Sequence, residues 1–477
     1  MRADLHEAYA AWLEHRVDRG YAEIVGYHLE QAHRYHAELH PGATAERRPL
    51  ARRAASRLGA AGRAAVERGD LPGGVNLLER ATALLPDDEP ARGMLVPELG
   101  IALAQLGRLS QANDVLSAAG GRAAANGDKV AEAHALTARF LARVQVDSEA
   151  AAAELNEQFE ASEHAFVNAG DELGLARLWR AQALVHWIAA QASQAEAAWM
   201  RAVTHAVRAG DEQGRADAMT WLASAAREGP TPVMEAIPRC EAILEQLQAN
   251  RRSQADTMRP LASMHAMAGR LDRARELFDR ANAILDDLGL GLTSAAPHDE
   301  AFVALLVGDA PAAEAALRDG YERLNAMGER ALLATTAAML AQALYLRGSL
   351  DEGLEFAEAA EAAAATDDLS AQILARTARA QVLACRGDTS AADRLSQEAV
   401  ALASQTDWLN CHADTLMVRA EVLHAADEPE PAVTAVRAAL DLYERKGNVM
   451  AADRARSAMD DDLNQPTRLK RSHGDVK

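Results

Sequence analysis

The chain has 477 residues and a formal net charge of -20; 49% of its residues are hydrophobic but only 4% aromatic, because alanine dominates. An excess of 70 acidic over 50 basic side chains excludes a broad nucleic-acid-binding surface, which needs basic patches. No apolar run approaches the roughly 18 residues of a membrane span, so no membrane partner is expected either. Cys240, Cys385 and Cys411 are too widely spaced for a CxxC pair or a disulfide framework, which fits a reducing cytoplasm. Alanine is the best helix former, and the β-branched and aromatic residues that favour strands are scarce. An all-α chain is expected.

Residues 2–40 read as two helices. Ala3 to Arg16 carries Leu5, Ala8, Tyr9, Trp12 and Leu13 on one face. Its charged, helical character does not read as a signal peptide. Gly20 breaks it. Ala22 to Leu39 follows and stops at His40-Pro41-Gly42. A long helix from Ala45 then reaches Gly69.

From Gly69 two series of turns interleave. Inner turns fall near Gly69-Asp70, Gly107-Arg108, Gln145 to Ser148, Ala190 to Ser193, Gly229-Pro230, Gly269-Arg270, Gly308-Asp309, Gly348-Ser349, Gly387-Asp388 and Ala426-Asp427. Outer turns such as Gly127-Asp128, Gly210-Asp211 and Gly328-Glu329 alternate with them. Two series with one step of roughly 40 residues mean about ten helix-turn-helix units. After the inner turn a small-large-small face recurs: Ala112, Leu116, Ala119; Ala195, Trp199, Ala202; Ala274, Phe278, Ala281; and Ala432, Val436, Ala439. The 4 and 3 spacing puts each trio on one helical face. One such hairpin cannot bury its faces alone and needs a copy on each side.

This pattern resembles the tetratricopeptide repeat, with a unit longer than that family's usual length of about 34 residues. The resemblance implies a right-handed α-solenoid over residues 45–459. Residues 1–44 form an N-terminal helical pair, and the aperiodic segment 460–477 is expected to be a disordered tail. The pattern weakens in the third unit, where Gln158 replaces a small residue, and in the fifth, where Pro230, Pro232 and Pro238 crowd the turn. Both places are candidates for a kink.

Catalytic motifs are absent. There is no GxxxxGK[ST] phosphate loop, no HExxH and no GxSxG, so an enzyme is not expected and no cofactor is assigned. His28, His33, His36 and His40 read as a polar helix face, because a zinc site needs three or four converging ligands and no cysteine lies near. His186 and His265 occupy a slot that holds Leu103 and Leu344 in other units, and read as packed core. Trp199 lies on the packing face. Trp187 and Trp221 align instead with first-helix positions that line the concave groove in the resembled family. Arg180, Arg259, Gln342, Tyr345 and Gln381 align there too. Aromatic and Arg anchors in a groove suit a protein or peptide partner, or a small inducer.

The stretches Arg2 to Glu14 and Glu23 to Ala32 are similar to the junction where the ATPase of bacterial STAND-type regulators passes into a helical-repeat sensor. Many of those regulators carry an adenylate/guanylate cyclase domain ahead of the ATPase. The run from Gly69 to Pro86 is also similar to them. The resemblance implies a signalling or transcription regulator whose repeats bind a partner. It carries over no catalytic residue, since neither the cyclase metal-binding aspartates nor the phosphate loop has a counterpart in these 477 residues.

Overall fold

The computed structural model describes residues 1–16, 21–144, 147–248, 250–289, 297–327 and 330–464. The expected break at Gly20, the outer turn Gly328-Glu329, the start of the turn at Gln145 and the tail from 465 lie outside them. The described residues form 23 α-helices and no strand. The chain divides into two compact units, Met1–Leu178 and Trp179–Lys477.

The first unit opens with α1 (Arg2–Arg16) and α2 (Ala22–Leu39). Three pairs follow: α3 (Thr44–Glu67) with α4 (Leu71–Ala83), α5 (Pro90–Gln105) with α6 (Leu109–Asn126), and α7 (Lys129–Arg143) with α8 (Ser148–Ala169). The division between units falls inside α9 (Glu172–Ile188), which pairs with α10 (Ala192–Ala209).

The second unit continues with α11 (Glu212–Glu228) and α12 (Val233–Gln246), then α13 (Arg251–Met267) and α14 (Leu271–Asp287). Next come α15 (His298–Val307) with α16 (Ala310–Met327), and α17 (Ala331–Leu346) with α18 (Leu350–Ala363). Last are α19 (Leu369–Cys385) with α20 (Thr389–Ala403), α21 (Leu409–Ala425) with α22 (Pro429–Lys446), and the unpaired α23 (Val449–Asn464). From α3 to α22 this makes ten helix pairs, as the paired turn series predicts. The expected tail therefore begins with helix: α23 covers residues 460–464.

The local chemistry of the turns explains the period. Gly269 ends α13 with φ +76°, a left-handed conformation that L side chains rarely adopt. Where an Asp follows such a turn, it caps the next helix. Asp128 accepts from the Ala131 N–H at 3.0 Å, and Asp388 from the Ala391 N–H at 3.1 Å. Each cap satisfies one of the orphan donors of a helix N-terminus and contributes about 1 kcal/mol.

The small-large-small faces line the core, except that Ala119 of the second pair is only half-buried. Ala274, Phe278 and Ala281 are 1%, 9% and 0% exposed. Ala195, Trp199 and Ala202 are equally buried. In the second pair, a Cβ on Gly100 would stand 2.5 Å from Leu116 Cγ, so only glycine lets α5 and α6 approach this closely. In the third pair Leu155 is buried, whereas Gln158 is half-buried and adds nothing to the core.

Candidate functional site

Within the second unit, the last repeats return to the first ones. Asp407, in the connection between α20 and α21, directs its carboxylate at the N-terminus of α10. Its oxygens accept from the Ala192 N–H at 2.6 Å and the Ser193 N–H at 2.8 Å, while its own N–H donates to the Ala190 carbonyl. Gln191, the residue at the N-cap of α10, makes no side-chain cap. A negative charge here meets both the free N–H groups and the positive end of the helix dipole. Ala190 holds φ 51°, an uncommon conformation for a residue other than glycine.

Lys446 performs the converse at the end of α11. It is one of four lysines in the chain and is 0% exposed. Its ammonium donates to the carbonyls of Ala226 (2.7 Å), Gly229 (2.7 Å) and Thr231 (2.9 Å). The Pro-rich turn of the fifth pair makes this socket. Gly229 is extended (φ -71°, ψ -174°) rather than left-handed. The prolines that follow lack N–H groups with which to satisfy the C-terminal carbonyls of α11. Burial holds the Lys446 pKa down to about 7.

Between these two contacts lies a cluster of four tryptophans. Trp187 stands 4.8 Å from Trp408, 5.3 Å from Trp221 and 5.7 Å from Trp199 between ring centroids. Trp199 and Trp221 stack at 5.2 Å. Trp199 is fully buried, as its place on the packing face predicts. Trp187 and Trp221, aligned by sequence with the groove, are partly buried here against Trp199 and Trp408. Trp408, Asp407 and Lys446 are the participants that repeat alignment misses. Only Lys446 carries a signal, as a lysine in an arginine-rich chain.

The other aligned residues fall into two groups. Arg180 approaches Asp217 at 3.6 Å, and Arg259 is half-buried on α13 near Asp256. On the later repeats, Gln342 of α17 and Gln381 of α19 occupy equivalent first-helix positions, and Glu421 of α21 is the next in the row. Gln381 Nε2 donates to Glu421 Oε2 at 2.8 Å, and the Tyr345 hydroxyl approaches the same oxygen at 3.4 Å. Glu421 is exposed, and the protein packed beside its carboxyl pushes the pKa up. The hydrogen bonds from Gln381 and Tyr345 act in the opposite direction.

The carboxylates on the neighbouring first helices are matched within the chain. Asp217 faces Arg180, Asp256 faces Arg252 at 3.7 Å, and Asp299 takes Arg227 at 3.1 Å and Ser263 at 2.8 Å. Asp414 accepts from the Tyr443 hydroxyl. Glu421 pairs with no Lys or Arg among the described residues.

His265 is buried, 4% exposed, as its core slot predicts; burial pushes its pKa down. His186 is half-buried, and its ring meets Gln182 and Gln191. Among the described residues no group of three or more His, Cys, Asp or Glu could hold a metal ion. No described helix is long and apolar enough to cross a membrane.

The fold defines an α-solenoid of tetratricopeptide-like helix pairs. No family model and no curated protein matches the sequence. Solved structures similar to this chain include the yeast Tom70, at 13% identity and TM-score 0.39 over 96% of each chain. A second is the APC/C hetero-tetramer Cut9-Hcn1, at 13% identity and TM-score 0.47 over 98% of this chain and 95% of that one. A third is a Rap protein complexed with competence and sporulation factor, at 10% identity and TM-score 0.42 over 80% of this chain and 98% of that one.

Proposed function

We propose that this chain is a non-enzymatic interaction and sensor module that binds a protein or peptide on the first-helix face of its second unit. The observation behind this reading is the row Gln342, Gln381 and Glu421, with Tyr345 beside it. At a constant step along the first helices, Gln342 and Glu421 reach solvent while Gln381 lies buried and supports Glu421, and the extended face of a solenoid is its natural docking surface. The row ends on a solvent-reaching carboxylate that no cation of the chain neutralises. The similarity of residues 2–14 and 23–32 to STAND-type regulators supports a role in a signalling or transcription regulator, where binding would hold or release an attached ATPase.

A second reading is that the chain is the C-terminal part of a multidomain ATP-binding adenylate/guanylate cyclase. One observation favours it. Tyr9, Trp12, Ile24 and Tyr27 are each about half exposed on the first two helices, an aromatic surface suited to a neighbouring domain.

The test is site-specific photo-crosslinking in the source cell. A crosslinking residue at Gln342 should capture a partner, and one at Glu355, exposed on the second helix of the same pair, should not. Equal capture at both positions, or none, would overturn the binding face. Robust ATP or GTP turnover by the repurified chain would overturn the non-enzymatic reading.

A further inference from the structure

We infer that Glu421, held by Gln381 and Tyr345, is the subsite for a cationic side chain, guanidinium or ammonium, of a bound peptide. This inference rests on the peptide-binding reading above and gives it a chemistry.

Three helices from successive repeats build the subsite: α17 supplies Tyr345, α19 supplies Gln381 and α21 supplies Glu421. Gln381 is 4% exposed, and its amide is aimed at the carboxylate. Its own Oε1 is buried without a hydrogen-bond partner. Turning the amide over would give that oxygen nothing and would set it against a carboxylate oxygen. The carboxylate therefore dictates the orientation of Gln381, at the cost of a buried acceptor left unmet. Both neighbours donate to the same oxygen, Oε2. The second oxygen, Oε1, takes no hydrogen bond from the described residues, and Glu421 is exposed.

Charge decides the class of ligand. Glu421 is exposed and carries a negative charge that only neutral donors contact, so an incoming cation gains the full Coulomb attraction at its free oxygen. An anion would meet repulsion, and an apolar group would desolvate Glu421 further without compensation. Asp217, Asp256 and Asp299 have Arg partners, whereas Glu421 is held by neutral donors alone and keeps its charge for a ligand. Tyr345 adds a ring beside it, and an aromatic face also attracts a guanidinium or ammonium.

The experiment pans a phage-displayed random heptapeptide library on the full chain and, in parallel, on Glu421→Gln. Recovered peptides are resynthesised with Arg and with citrulline, its neutral isostere, and titrated by calorimetry. The expected result is enrichment of Arg or Lys on the wild type, with at least about tenfold weaker binding to Glu421→Gln. The citrulline peptides should bind both proteins alike. Peptides that bind wild type and Glu421→Gln equally would overturn the subsite and leave the peptide-binding reading standing. Failure of both proteins to retain any peptide would overturn the reading itself. Agmatine binding to the wild type in that case would mean that the carboxylate serves a free small cation, which overturns the peptide as occupant.

Discussion

The Lys446 ammonium donates to the Gly229 carbonyl at 2.7 Å across 217 positions of the chain. This bond joins the end of the tenth helix pair to the turn of the fifth. With two further carbonyls it uses all three donors of the ammonium, the form the side chain holds below about pH 7. Removing it leaves three carbonyls to be satisfied some other way. Lys446→Met is expected to destabilise the second unit by on the order of 3 kcal/mol, the range for stranded buried polar groups. Urea denaturation followed by tryptophan emission measures this directly, because Trp187 and Trp408 should separate early. An unchanged midpoint would show that the bond contributes nothing net.

The same lysine predicts a pH dependence. Its folded pKa, about 7, lies below the ordinary 10.5. Between those values the unfolded chain holds a proton that the folded chain has released, so folding gains stability as pH rises. Below about pH 7 the cost of the buried charge is present in full. Arg227, Glu196 and Asp407 face the amine, and Cys240, pushed up to about 12 by burial, stays neutral across the window. The stability difference between wild type and Lys446→Met should therefore widen from pH 7 to pH 10. A difference that stays flat over this range would contradict the assignment.

Asp407 offers a milder perturbation of the same closure. Asp407→Asn keeps one acceptor but loses the charge at the N-terminus of α10. Capping and dipole effects together set the expected loss at roughly 1–2 kcal/mol. Thermal melting should report it, with a red shift in tryptophan emission as Trp408 loosens from Trp187. A variant that melts with the wild type would mean that Ala192 and Ser193 find other acceptors at no cost.

Glu421→Gln should act in the opposite direction and stabilise. A carboxyl group whose folded pKa is raised lowers folded stability once pH exceeds the ordinary value near 4.5. The amide removes that charge and keeps an acceptor for Gln381. The variant should melt above wild type at pH 7, and the gap should close as pH falls below about 4.5. Lower stability at neutral pH would mean that the carboxylate is structural.

Ala274→Trp tests the packing. Ala274 is 1% exposed between Phe278 and the facing helix, and overfilling a tight contact costs roughly 1–3 kcal/mol, more for so large a change. Equal melting temperatures for variant and wild type would refute the alignment of the repeats.

What the sequence alone determined is local. The helices, their ten pairs and the small-large-small faces follow from periodicity, from turns such as Gly269 and from caps such as Asp128. Each of these acts within a few residues, so it is legible along the chain. The same reasoning places Trp199 and His265 in the core. What only the tertiary structure decided is long-range. Asp407 and Lys446 look like ordinary surface charges in their own repeats. Their partners are backbone N–H and C=O groups more than 200 positions away, which no side-chain pattern records. Trp187 and Trp221 align with a groove, and folding sets them against Trp408. Glu421 continues the row of Gln342 and Gln381, yet only the assembled helices reveal that it lacks a cation. Repeat periodicity specifies how each pair stacks on the next, whereas contacts between distant repeats depend on the accumulated rotation of every pair between them.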